Sequence, residues 1–340
     1  FKDKKILVTG HTGFKGAWLC QILLLFEAKI MGISNTKVSK INLFDILKLN
    51  NKVKNFKYDL SKNKKFEKEV VKFNPDYIFH LAAQSLVYES YRNPYKTFYN
   101  KNGYAHLGKT LNREQLKLMK QECMKTWFDL KEGYDANKNW LKNTLLQNIH
   151  HHSDAVRNFY FYGPFIEIMT KIIGDNIKGV QSQLSFKLKN NEKRVGWHQD
   201  NGYGELDPYN TVTTITSFDD SNIDNGCIWL IPGSHLWGQQ ELGFRVTQKW
   251  KNELNEIDLS VNESDAIPIP LKAGESIIFH CLMLHKSDPN RTKNYRRYLF
   301  LRYADADAVE VYNHRKPRLG KLLNGTTSYQ EVKDFEKELF

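Results

Sequence analysis

The spacing of apolar residues changes near residue 100, and no single sheet can satisfy the pattern on both sides of that point. Before it, short β-rich runs alternate with helix-spaced ones. "KKILVTG" (4–10), "KIMGIS" (29–34), "NFKYDL" (55–60) and "DYIFHLAAQ" (76–84) read as strands, and "FKGAWLCQILLLF" (14–26) and the charged stretch 62–73 read as helices. Strands that alternate with helices predict a parallel sheet with right-handed crossovers. After about residue 175 the runs "VQSQLSFKL", "TVTTITSF", "GCIWLIP", "DAIPIPL", "ESIIFHCLMLH" and "RRYLFLRYAD" follow one another with few helices between them. That succession predicts a sandwich or closed barrel. Two helical stretches bridge the halves. One is capped by Thr110 or Asn112 and carries Leu111, Leu116, Met119, Cys123 and Trp127 at roughly helical spacing; the other runs over 158–174 and ends on Gly174.

The first strand leads into its helix through Gly10, Gly13 and Gly16, a GxxGxxG turn. Glycines there let backbone approach a pyrophosphate, and the helix start offers it free N–H groups and a positive dipole. Asp59 and "HLAAQ" (80–84) fall at carboxyl ends of strands, where such sheets bind ligands. Two readings stay open: an NAD(P) site at this half-Rossmann module, or a strand–helix turn that packs only with glycine. Ser34 ends the second strand where many NAD-binding chains carry an acidic residue for the ribose.

Composition narrows the function classes. The chain has 340 residues and a formal net charge of +12, which raises the question of a polyanionic partner. Its longest basic stretch, 61–73, is interrupted by Glu67 and Glu69 and reads as a solvated helix face, so no nucleic-acid partner is expected. Cys20, Cys123, Cys227 and Cys281 are isolated and read as reduced thiols of a cytoplasmic protein. The longest apolar run, 17–26, is half of what a membrane span needs. Oligomeric state is not legible.

The residues best suited to chemistry lie in "VGWHQDNGYGELD" (195–207). His198 and Asp200 are two apart, so on a strand an imidazole and a carboxylate share one face and can converge on one ion. A third ligand is required, and His280 and His285 are the candidates. Two histidines and a carboxylate that leave other positions open suit non-haem Fe(II), which must also bind O2 and a co-substrate. If the co-substrate is 2-oxoglutarate, its distal carboxylate calls for an arginine fork and a hydroxyl. Ser287 and Arg296 follow His285 by two and eleven residues, whereas an odd offset of five would put His280 on the opposite face of a regular strand. His285 is therefore the expected ligand. The triplet His150–His151–His152 sits in a polar connection before a helix and reads as surface or pocket edge.

Two family resemblances follow from these residues. "VTGHTGFKGAWL", "PDYIFHLAAQSLV" and "ESYRNPYKTFYN", within 2–100, resemble the N-terminal part of the extended short-chain dehydrogenases, in particular the CDP-glucose 4,6-dehydratases. Those enzymes need a Tyr-x-x-x-Lys pair downstream. The YxxxK pair Tyr329 to Lys333 lies near the C-terminus in a charged stretch, and the module is expected to lack catalytic machinery. "GWHQDNGYGELDPYNTVTTITSFDDSNIDNGCIWLIPGSHLWG" and "AIPIPLKAGESIIFHCLMLHKSDPNRTKNYRRYLFLRYADAD", within 103–307, resemble the phytanoyl-CoA dioxygenase family. That resemblance implies a jelly-roll double-stranded β-helix at 101–340 behind a truncated module at 1–100. It also implies His198, Asp200 and His285 as Fe(II) ligands and Arg296 with Ser287 on 2-oxoglutarate. Gln199, Lys187 and Gln183 would line the co-substrate or substrate pocket. The implied reaction is hydroxylation of a small molecule with O2, and the carboxylate at 200, absent in related halogenases, favours hydroxylation. The alternative is an NAD-binding, dehydratase-like protein whose barrel serves as a binding module.

Overall fold

The computed structural model describes residues 1–35, 42–58, 60, 66–82, 94–129, 144–192, 194–240 and 261–337. The chain divides into two compact units, Phe1–Arg92 and Asn93–Phe340.

In the first unit, strands β1 (Lys5–Thr9), β2 (Lys29–Ser34), β3 (Lys54–Lys57) and β4 (Tyr77–His80) form a parallel sheet in the order β3-β2-β1-β4. Helices α1 (Phe14–Leu25), α2 (Leu43–Ile46) and α3 (Phe66–Phe73) accompany it. Ile6 and Val8 of β1 and Ile30 of β2 pack against Ala17, Cys20 and Leu23 of α1. Leu7, Met31 and Ile33 pack with Phe66, Val70 and Phe73 of α3. Odd and even positions of β1 thus serve different apolar clusters, as strand alternation requires. Asp59 and the end of "HLAAQ" lie outside the described residues.

The second unit opens with α4 (Pro94–Asn102), β5 (Tyr104–Lys109) and α5 (Arg113–Asp129). Asn112 caps α5: its Oδ1 accepts from the Gln115 N–H at 2.9 Å, and Gln115 Oε1 accepts from the Asn112 N–H at 3.0 Å. That reciprocal pair satisfies two otherwise orphan donors. The helix expected over 158–174 is two helices, α6 (Asp154–Tyr162) and α7 (Phe165–Ile172). Pro164 has no N–H to continue the first of them, and Gly163 ahead of it is extended at φ −78° and ψ −176°.

The strands that follow build two sheets. β6 (Leu145–Gln147), β7 (Ile177–Lys187), β10 (Val212–Ser217), β13 (Glu275–His280), β15 (Arg296–Asp305) and β18 (Lys321–Asn324) join β5 in a seven-stranded sheet in which β7, β15, β10 and β13 are neighbours. β8 (Val195–His198), β11 (Ile228–Leu230), β12 (Ile267–Ile269) and β14 (His285–Ser287) form a four-stranded sheet in the order β12-β11-β14-β8. β9 (Leu206–Asp207), β16 (Val309–Glu310) and β17 (Lys316–Pro317) make a small third sheet. The pairings in this unit are antiparallel. Ile215, Ile277, Phe279 and Tyr298 of the larger sheet pack on Ile228, Leu230 and Ile269 of the smaller, so the two sheets face each other in a jelly-roll-like barrel.

The sequence of β15 explains the layering. Arg296, Tyr298, Phe300 and Arg302 share the face toward the barrel interior, while Leu299, Leu301 and Tyr303 join Trp127, Phe159 and Phe165 of the helices in the largest apolar cluster. Arg297, on the helix side, forks onto Asp219 at 2.6 and 2.7 Å, and Lys120 of α5 reaches the same carboxylate at 3.2 Å. The four cysteines are free and buried. Among the described residues no helix is long and apolar enough to cross a membrane.

Candidate metal and co-substrate site

"ESIIFHCLMLH" is two strands in different sheets, with β13 ending on His280 and β14 beginning on His285. A turn at 281–284 separates them, so the offset of five does not act through one regular strand. His280 Nδ1 accepts from the Leu282 N–H at 3.1 Å and has Cys281 Sγ 3.8 Å away.

His285 lies opposite His198 in the β14–β8 ladder, and their rings stand 4.0 Å apart between centroids. Asp200 opens a short turn, Asp200–Tyr203, directly after β8. One ligand atom from each of His198, Asp200 and His285 lies within 4.8 Å of the others, and all three residues are buried. The rings are aimed by their inner nitrogens. His198 Nδ1 meets the Gly196 carbonyl at 2.8 Å and His285 Nδ1 the Met283 carbonyl at 3.0 Å. An Nδ1–H held on a backbone carbonyl puts the ring's lone pair on Nε2, the tautomer a metal needs. Burial and the neighbouring His285 push the His198 imidazole down to about 3, and burial lowers His285 as well. Both rings are therefore neutral at pH 7.

Asp200 is gripped from two sides. Thr213 donates to its Oδ2 at 2.6 Å, and Arg302 Nη2 lies 2.5 Å from Oδ1. Burial opposes its ionisation, yet Arg302, the two imidazoles and Thr213 hold the carboxyl below its usual range. Arg302 also donates to Gln181 at 3.1 Å. Neither Thr213 nor Arg302 was singled out in the sequence. The signal for Arg302 was present, because it lies six residues after Arg296 on one strand and so shares its face.

Arg296 is 2% exposed, and its Nε and Nη1 have no hydrogen-bond partner among the described residues. Its guanidinium sits 4.0 Å over the Tyr298 ring, opposite Lys187 in the β15–β7 ladder. Lys187 is buried as well and donates to the Ser287 carbonyl at 3.2 Å. Burial first, and then Arg296, push the Lys187 ammonium well below its ordinary value. A buried guanidinium with unmet donors beside a second buried amine is costly without an anion. Arg296, Ser287, Lys187, Gln183 and the three ligand candidates all line one cavity of about 360 Å³.

Gln199 does not line that cavity. Extended backbone at φ −113° and ψ 140° turns it away from the face that His198 uses. Its amide donates to the Gly238 and Leu282 carbonyls at 2.9 and 2.8 Å and accepts from the Gln240 N–H at 2.7 Å. The expectation of a pocket role is thus corrected: Gln199 pins the 238–240 loop.

The donor set and the unmet arginine fit one metal ion beside a carboxylate-bearing co-substrate. Imidazole nitrogens and a carboxylate oxygen suit borderline divalent metals, and the arginine supplies the fork that a dicarboxylate takes.

In the first unit, a Cβ on Gly10 would meet the Leu81 carbonyl at 2.7 Å, and φ at Gly10 is +71°. A Cβ on Gly16 would meet the Gly10 carbonyl at 2.3 Å, whereas one on Gly13 would meet that oxygen at 3.2 Å. His11, within the turn, lies 2.8 Å from both Ser34 Oγ and Asn55 Oδ1, so Ser34 is engaged inside the unit. Tyr329 and Lys333 of the YxxxK pair open a short helix, α8 (Gln330–Asp334), in the second unit.

Fold and cluster together define a class: jelly-roll-like barrels that present two imidazoles and a carboxylate at one point of an inner cavity. The chain belongs to the phytanoyl-CoA dioxygenase family, whose model matches residues 99–298. The model of GDP-mannose 4,6 dehydratase matches residues 7–119. A phytanoyl-CoA dioxygenase of Arabidopsis thaliana is 26% identical over 168 residues, 49% of this chain and 59% of that protein. The peroxisomal phytanoyl-CoA dioxygenase of Rattus norvegicus is 21% identical over 207 residues, 58% of this chain and 60% of that protein. CDP-glucose 4,6-dehydratase of Salmonella typhimurium is 35% identical over 114 residues, 33% of this chain and 32% of the enzyme. The chain therefore spans less than two thirds of each of these relatives. Among solved structures, the non-heme monooxygenase ThoJ superposes with a TM-score of 0.55 at 20% identity over 68% of this chain and 84% of that one. The epimerase SnoN, in complex with Fe3+, alpha ketoglutarate and nogalamycin RO, gives 0.55 at 15% over 71% and 97%. These likenesses speak to the fold.

Proposed function

We propose that the second unit is an Fe(II)- and 2-oxoglutarate-dependent dioxygenase that hydroxylates a small molecule, with His198, Asp200 and His285 as metal ligands. The observation that carries this reading is the buried meeting of those three side chains beside an arginine with unmet donors. Arg296, with Ser287 and Lys187 beside it, would take the far carboxylate of 2-oxoglutarate. When bound, iron with 2-oxoglutarate and O2 supplies the oxidising power to replace a substrate C–H by C–OH while 2-oxoglutarate becomes succinate and CO2.

The protein's own work is positional. Gly196 and Met283 carbonyls fix the imidazoles, and Arg302 and Thr213 keep the carboxylate charged and turned to the same point. Gln181, Gln183, Phe300 and Tyr312 line the remaining cavity, which gives a substrate both apolar contact and amide donors. The first unit we read as a half-Rossmann module without the downstream proton-transfer pair of the dehydratases. Backbone contacts already account for Gly10 and Gly16 there, so titration with NADH separates a nucleotide site from a packing turn.

The oxygenase reading is tested anaerobically. Fe(II) plus 2-oxoglutarate should give a visible charge-transfer band, and O2 should then release succinate. In His198→Ala both should be lost, with turnover down at least about a hundredfold. Succinate released equally by both proteins would overturn the reading.

A further inference from the structure

A second set of metal-compatible side chains meets outside the cavity. His150 and His151 belong to a single turn, Ile149–His151, ahead of α6, and Glu336 follows α8 near the C-terminus. Their ligand atoms lie within 4.8 Å of one another. His150 Nε2 is 3.1 and 3.3 Å from the two Glu336 carboxylate oxygens, and His151 Nε2 is 2.7 Å from Oε1. The expectation that the triplet is surface or pocket edge is corrected for His150. Its side chain is 4% exposed and that of Glu336 9%, while His151, at 36%, forms the solvent-facing side.

We propose that His150, His151 and Glu336 bind a divalent transition-metal ion of the Zn2+ class at a site separate from His198, Asp200 and His285. Two imidazoles and one carboxylate are the donors such ions prefer over Ca2+ or Mg2+, which require more oxygens. Bonds of about 2.0–2.1 Å in a tetrahedron place donors about 3.3 Å apart, so the present separations need only small adjustment. His150 has the outer partner of a metal-bound imidazole: its Nδ1 lies 2.5 Å from Ser182 Oγ, which also accepts the His150 N–H at 3.0 Å. Glu336 holds φ at +55°, in the left-handed region that favours glycine.

The site is independent of the cavity. Ser182 alternates along β7 with Gln181 and Gln183, which line the cavity, and neither Ser182 nor the three proposed ligands does so. A metal here would clip the segment after α8 to β7 and to the turn before α6.

The test uses the full chain carrying His198→Ala and His285→Ala, which removes the first cluster, titrated with Co2+ alone. We expect one Co2+ per chain with the intense visible absorption of tetrahedral cobalt, and a higher melting temperature. Adding Glu336→Gln or His151→Ala should weaken Co2+ binding at least about tenfold. His151→Ala removes a half-exposed ring, so its fold, checked by circular dichroism, should persist. In the otherwise native chain it should leave succinate release intact. No stoichiometric Co2+, or a bound Co2+ indifferent to both substitutions, would show a hydrogen-bonded cluster only and overturn the proposal.

Discussion

His280 and His285 are both histidines of one short segment, and their surroundings give them different tasks. His285 has a carboxylate and a second imidazole before it, whereas His280 faces the His235 ring at 5.3 Å and accepts a backbone N–H. Burial and then His235 lower His280 from 6.5 to about 4. Between those values the unfolded chain takes up a proton that the folded chain refuses. Stability is therefore lost as pH falls from 6.5 toward 4, by up to about 1.4 kcal/mol per pH unit for this one group. His280→Asn keeps an acceptor but cannot titrate, so metal-free melts between pH 4.5 and 7 should show a shallower slope. A slope unchanged by the substitution would remove His280 from the acid response. At this scale the sequence was most legible at short offsets: His198 ends β8, Asp200 opens the turn two residues on, and Arg296 begins β15. It was least legible for Glu336, which meets His151 across 185 positions that no spacing rule connects.

Among the elements, the turn into α1 was readable because its glycines sit between a strand and a run of apolar residues at helical spacing. What could not be read was the reason for them. At Gly10 the left-handed φ and the Leu81 backbone 2.7 Å from a would-be Cβ leave no room for a side chain. Gly10→Ala should destabilise the first unit by at least about 2 kcal/mol in urea titrations without nucleotide, through backbone strain alone. Unaltered stability coupled to lost NADH binding would instead give that glycine to a ligand. The break between α6 and α7 was also visible in principle, since Pro164 interrupts the run, but continuous apolar periodicity on both sides masked it. The strand run ending at His285 was misread for a related reason. Apolar residues fill the turn at 281–284, so composition offers no punctuation where the chain changes sheet.

For the whole molecule, the contrast between alternating elements and successive strands was enough to indicate two architectures. It was not enough to assign α4. Tyr99 of that helix is buried in the apolar cluster of the second unit, Gly233 N–H donates to the Asn102 carbonyl at 2.9 Å, and His235 Nε2 lies 3.3 Å from the Asn100 carbonyl. A chain starting at residue 93 should keep the melting transition of the second unit and its succinate release. One starting at residue 103 should lose several kcal/mol, because it strips an aromatic side chain from the core. Equal melting temperatures for the two would place α4 outside the folding unit.

The unmet donors of Arg296 connect this architecture to supply. A dicarboxylate bound to that guanidinium would offset the cost of burying it and raise the folded population. On the proposed oxygenase reading, how long a copy survives proteolysis would follow the concentration of 2-oxoglutarate, so that scarcity of that acid would remove the protein as well as slow its turnover.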